Sequence, residues 1–118
     1  MLHFCIKRIY DTPEITDGYR VLVDRLWPRG MKKEDARLDE WNKILPPSPA
    51  LRKWFNHDPG RFSLFRIKYQ LELKKHEDEL NRLRAIAGKQ TVTLLYAAKD
   101  PHLNQAIILL EVLSENNS

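Results

Sequence analysis

Apolar and polar residues alternate over FCIKRI (4–9), the pattern of a strand with one buried face. YRVLVDRL (19–26) is β-branched at its centre and predicts a second, more deeply buried strand. TVTLLYA (91–97) predicts a third. The connection between the first two, YDTPEITDG, is rich in Pro, Gly and Asp and has room for one helical turn at most. Further along, the period becomes helical. Phe62, Phe65, Tyr69, His76, Leu80, Leu83 and Ala87 fall on one stripe, with Leu73 beside it.

Three helix starts share a signature: Ser48-Pro49, Asp58-Pro59 and Asp100-Pro101. A Ser or Asp oxygen accepts from free N–H groups of the first turn, and proline at the first helical position loses no hydrogen bond. Helices are therefore expected at about 49–56, 59–87 and 101–114, with Gly88 closing the long one. A shorter helix over EDARLDEWNKIL (34–45) would be buried through Leu38, Trp41 and Leu45. Strand, long helical stretch, strand is the order of an α/β unit. It predicts a small, mostly parallel sheet of three or four strands flanked by helices, with strands 21–25 and 91–97 parallel. The alternative is α+β with an antiparallel pair within residues 3–26, because that connection is short for a crossover.

A chain of 118 residues is most simply one domain spanning residues 1–118. No apolar run approaches the ~20 residues that cross a bilayer, and the N-terminus turns charged too early for a signal peptide. A single cysteine, Cys5, excludes an internal disulfide and fits a reducing compartment, so the cytoplasm is the expected location and no membrane partner is foreseen. The net charge of +4 is modest, with 20 basic and 16 acidic residues interspersed. It permits nucleic-acid binding without concentrating charge as a dedicated DNA binder does.

The candidate chemistry lies where apolar strands run into charge. In open parallel sheets, ligands collect beyond the strand carboxyl ends. The second strand ends VDRLWPRG and the third ends YAAKD. If these strands are neighbours, Asp24, Arg25, Arg29 and Lys99 converge, with Trp27 as an apolar wall or stacking surface. Three cations and a carboxylate near a helix start suit a small anion bearing phosphate or carboxylate, a nucleotide included. Asp24 would orient the arginines or act as a base. The structural alternative pairs Asp24 with Arg25, Arg29 or Arg20 and sinks Trp27 into the core; for Asp100, capping is the leading reading. LRKWFNHDPGRF (51–62) brings His57 beside Asp58, making His57 a candidate acid or base if its loop reaches the cleft, with loop packing the commoner role.

No set of residues has the spacing of a metal site, and no cofactor motif is present. His3 and Cys5 share a strand face without further ligands, and Cys5 has no base near it in sequence. His76 and His102 read as surface or packing residues. With 4 glycines, a backbone phosphate cradle is not expected. Two rival functions stay open. One is a nucleic-acid-binding module without catalysis, using Trp27 or Trp54 as stacking platforms. The other is an interaction protein whose long helix pairs with another chain. The oligomeric state is not readable.

DGYRVLVDRLWPRG, LRKWFNHDPGRFSLFRIKY and LLYAAKD closely resemble the YeaO-like branch of the domain-of-unknown-function family 488, in the same order and from about residue 6 to about residue 113. The resemblance implies a small bacterial or archaeal cytoplasmic α/β protein and supplies no activity. In the wider group a strand ending Val-Asp followed by Arg is similar to LVDR, which matches Asp24 and Arg25. Many of those relatives also carry a Cys after the last strand's apolar pair and a Cys-His-Arg in the next helix. Here Tyr96 stands in the first place and the second is absent, so thiol or metal chemistry does not carry over.

Overall fold

The computed structural model describes residues 1–115. Among them, four strands form one all-parallel sheet: β1 (Phe4–Arg8), β2 (Tyr19–Leu22), β3 (Glu40–Trp41) and β4 (Val92–Tyr96). Their spatial order is β1-β4-β2-β3. The α/β expectation holds, and the antiparallel alternative does not. β1 and β2 are not partners, because β4 lies between them, with Ile6 and Val21 both opposite Leu94. The short β1–β2 connection therefore crosses the face of β4. Thr93 Oγ1 donates to the carbonyl of Asp17 at 2.6 Å as the chain passes.

Alternation sorts the two faces of the sheet. Val21, Val23, Val92, Leu94 and Tyr96 join the main core. That core is completed by helices α2 (Pro49–Phe55), α3 (Phe62–Leu73), α4 (Glu77–Ala87) and α5 (Gln105–Ser114). Leu22 and Leu95 face the other side, where Ile9, Ala36, Trp27, Met31, Leu38 and Trp41 form a smaller cluster.

The long helical stretch runs from Pro59 to Ala87, but not as one cylinder. It opens with a 3₁₀ turn (Pro59–Arg61) and is interrupted by another (Lys74–His76) between α3 and α4. The predicted stripe is buried throughout except at His76, which is half-buried at the interruption. On the opposite face of α3, Leu64, Ile67 and Leu71 are each more than half exposed.

Two expectations need correction. The helix predicted over 34–45 is only α1 (Lys33–Ala36), stopped by Arg37 at φ 47°, and Glu40–Trp41 is an edge strand instead. Asp39 and Asn42 turn the chain out of the helix: the Asp39 carboxylate accepts from the Arg20 N–H, and Asn42 Oδ1 accepts from the N–H groups of Ile44 and Leu45. The last helix starts at Gln105, not at 101. Asp100 caps only a turn, accepting from the His102 and Leu103 N–H groups, and Asn104 is the true N-cap, accepting from Ile107. Among the described residues, no helix is long and apolar enough to cross a membrane.

Candidate anion-binding cleft

Parallel pairing puts every strand's carboxyl end on one edge, and a hollow of about 900 Å³ opens there. Its floor comes from the exits of β2 and β4 and the start of α5: Asp24, Ala97, Ala98 and Gln105. The lining also includes Arg25, Pro46, Pro47, Arg52, Phe55, His57 and Phe65, and Arg8, Tyr10, Trp27, Pro28, Arg29 and Lys99. All six residues singled out in the sequence, Asp24, Arg25, Trp27, Arg29, His57 and Lys99, line this one space. Arg8 and Arg52 were not foreseen.

Asp24 ties the two strand exits together. Its Oδ2 accepts from the Ala97 N–H at 2.9 Å, and its Oδ1 accepts from Gln105 Nε2 at 2.8 Å. It makes no ion pair with Arg20, Arg25 or Arg29, so neither the loop-pinning pair nor the arginine-orienting role is what the geometry shows. Arg20 instead is buried against Asp17. Burial pushes the Asp24 carboxyl above its ordinary value; the Ala97 N–H, nearby Arg52, the Gln105 amide and His57 oppose the shift without cancelling it.

The cations fall into two kinds. Arg8 and Arg25 are anchored by backbone carbonyls. Arg8 donates from Nε to Ala98 O at 3.0 Å and from Nη2 to Ala97 O at 3.4 Å. Arg25 donates from Nε to Pro47 O at 2.6 Å and from Nη2 to Pro46 O at 3.0 Å. Each guanidinium is thereby fixed by neutral acceptors that leave its charge uncompensated, with the Nη1 group unengaged. Arg29, Arg52 and Lys99 are exposed. Among the described residues, none of the five cations has a carboxylate partner within ion-pair distance, whereas Lys7, Arg20, Arg61, Arg66, Arg82 and Arg84, all elsewhere, do.

Trp27 is half-buried. Its Nε1 donates to Met31 O at 2.7 Å and its ring packs edge-on against Trp41 at 5.3 Å, so it is a fixed wall rather than a free stacking platform. His57 stands exposed at the rim, and it follows Asn56 in a second consecutive left-handed conformation (φ 48° and 54°). Two such residues in succession turn the chain sharply at the end of α2. Asp58 is occupied as a cap, accepting from the Gly60 N–H at 2.9 Å. Among the described residues, no group of three or more His, Cys, Asp or Glu side chains is arranged to hold a metal ion.

Comparison with known proteins gives a consistent kinship. The profile of the "Inactive DUF488-N3 subclade" matches residues 3–118. "Uncharacterized protein YeaO" of Escherichia coli (strain K12) is 52% identical over 107 residues, covering 91% of this chain and 93% of that protein. "Uncharacterized protein Rv3073c" of Mycobacterium tuberculosis (strain ATCC 25618 / H37Rv) is 39% identical over 110 residues, 92% of each chain. No solved structure matches.

Proposed function

The chain belongs to the DUF488 family, as a YeaO-like member of its inactive N3 subclade, and on that premise we propose that it binds a small anionic ligand in the cleft without turning it over. The observation carrying this reading is the concentration of unpaired positive charge. Arg8, Arg25, Arg29, Arg52 and Lys99 line one hollow, and its two carboxylates are engaged with backbone and amide donors. Ionised side chains are ordinarily paired or fully solvated, and a cluster facing a shared space is arranged for a negative guest. Arg8 and Arg25 supply preorganised donors; Arg29, Arg52 and Lys99 supply exposed ones. Asp24 serves as the positioning residue that holds the floor together.

The subclade's description as inactive supports binding over catalysis. So does Asp24, whose two oxygens are both already accepting hydrogen bonds. The test is thermal stabilisation by orthophosphate, pyrophosphate and citrate at low ionic strength, with each anion's mass checked after incubation. Stabilisation with unchanged ligand, lost in Arg29→Ala/Lys99→Ala, is expected. Absence of stabilisation by any anion, or a double variant responding like the wild type, overturns the reading.

A second reading rests on a different observation. The exposed residues Leu64, Ile67 and Leu71 lie at helical spacing on α3, flanked by the exposed Arg61, Lys68, Lys74 and Lys75. The one acid between residues 59 and 76, Glu72, is turned inward to accept from the Ser48 N–H and hydroxyl. This face fits a partner helix with an apolar stripe and acidic flanks. A second copy of the chain would set like charges against each other. A Leu/Glu amphipathic peptide should bind with an affinity that falls with salt and is lost in Ile67→Glu. A salt-insensitive dimer formed through α3 would exclude it.

A further inference from the structure

Resting on the anion-binding reading, we propose that the ligand is a nucleoside phosphate, its ring against the apolar part of the cleft and its phosphate among the cations. Size speaks first. Small-molecule sites span ~300–1,000 Å³, and a hollow of about 900 Å³ lies near the top of that range. Orthophosphate or a short-chain acid would leave most of it as open water, with the distant cations unengaged.

The lining is divided in the way such a ligand requires. Beside the cations stand Trp27, Pro28, Pro46, Pro47, Phe55 and Phe65. Phe55 and Phe65 are buried and stacked on each other at 4.2 Å between ring centres, so they back the cleft rather than face it; the accessible apolar surface is that of half-buried Trp27, with the exposed Tyr10 and Leu26 beside it. Aromatic surface of this kind, fixed by the bond from Trp27 Nε1 to Met31 O, favours a flat apolar guest, since a rigid ring covers it with little loss of conformational freedom. Gln105 adds polar specificity. Its Nε2 is committed to Asp24 Oδ1 at 2.8 Å and to Val23 O at 3.2 Å, which leaves Oε1 as that side chain's acceptor for a ring N–H.

Charge narrows the anionic part. Five cations against Asp24 and Asp100 leave the cleft strongly positive. A phosphomonoester carries between about one and a half and two negative charges at neutral pH and offers three acceptor oxygens, more than a single carboxylate supplies. It suits the anchored Arg8 and Arg25, both of which line the hollow and keep their Nη1 groups free of hydrogen bonds.

The experiment is isothermal titration of the full chain at low ionic strength with orthophosphate, the four ribonucleosides and their 5′-monophosphates. At least one monophosphate should bind tenfold or more tightly than orthophosphate and than its own nucleoside, and Arg29→Ala/Lys99→Ala should reduce it to the nucleoside's affinity. If orthophosphate binds as tightly as every nucleotide, the anion site stands and the ring inference falls. If neither binds, both fall. If a single-stranded oligonucleotide binds more than tenfold tighter than every monophosphate, the cleft serves a polymer and the inference is overturned.

Discussion

At the scale of single residues, half-buried Asp24 and buried Asp17 have pKa values shifted in opposite directions. Asp24 is raised above 3.8, its ordinary value, by burial. The folded chain therefore holds that proton more tightly than the unfolded one. Its contribution is most favourable in acid and declines as pH rises through a window opening near 3.8. Asp24→Asn removes the charge but keeps only one acceptor oxygen for the two donors, so at pH 7 it should lower the melting temperature less than Asp24→Ala does. Asp24→Ala should lower it further, because the Ala97 N–H and the Gln105 amide both lose their acceptor, a cost of about 1–3 kcal/mol. Melting curves of both variants at pH 7 check this; a loss for Asn equal to that for Ala would show that charge, not hydrogen bonding, is what the site needs. Asp17 runs the other way. Burial works against its charge, but the Glu14 N–H, Lys7 and Arg20 outweigh it and hold the carboxyl below 3.8. Its stabilisation is present above that value and is lost as pH falls through the depressed pKa. Asp17→Asn leaves Arg20, 4% exposed, without its partner. It should cost about 3–5 kcal/mol, read as a shift in the urea midpoint.

At the scale of elements, what positions the cleft is the entry of β2 beside β4. Gly18 opens that strand at φ 65°, and a Cβ there would collide with the Thr91 carbonyl, the acceptor of the Tyr19 N–H at 2.8 Å. Gly30 has a similar φ, 74°, but open space around it. Gly18→Ala should therefore cost well over the ~1 kcal/mol of left-handed strain alone, and Gly30→Ala should cost about that strain and no more. Chemical denaturation of the two variants measures the difference. The same comparison shows what a linear pattern carries. Asp24, Arg25, Trp27, Arg29 and Lys99 are legible because each directly follows an apolar strand, and the carboxyl-end rule places them. Arg8 is not legible: in an alternating strand it reads as a solvated residue, and only insertion of β4 beside β1 brings it to the Ala97 and Ala98 carbonyls. Arg52 stands next to Lys53 on a short helix and looks like an ordinary exposed cation. The β3 strand escapes notice for a related reason. Two residues have no period, while Leu38, Trp41 and Leu45 imitate one, and what decides against the helix is a non-local bond from the Arg20 N–H to Asp39.

At the scale of the whole molecule, a cleft that gathers five cations and leaves them unpaired is an electrostatic load on the empty protein. The anchoring carbonyls of Pro46, Pro47, Ala97 and Ala98 hold Arg8 and Arg25 in place but cancel no charge. The exposed Arg29, Arg52 and Lys99 add to the same field. Function and stability are then opposed, as they commonly are where a site must await its ligand. The consequence is measurable without knowing the ligand. Arg29→Ala/Lys99→Ala should leave the fold intact and melt at the same temperature as the wild type, or a few degrees higher, at low ionic strength. In about 1 M salt, where the Debye length falls to about 3 Å, the two proteins should converge, because screening relieves the wild type of a repulsion the variant no longer has. A structural pair of residues behaves differently: its removal destabilises at every salt concentration. A double variant that melts far below the wild type in both conditions would therefore place Arg29 and Lys99 in the framework, and the positive field of the cleft would be a by-product of folding rather than a site kept open for an anion.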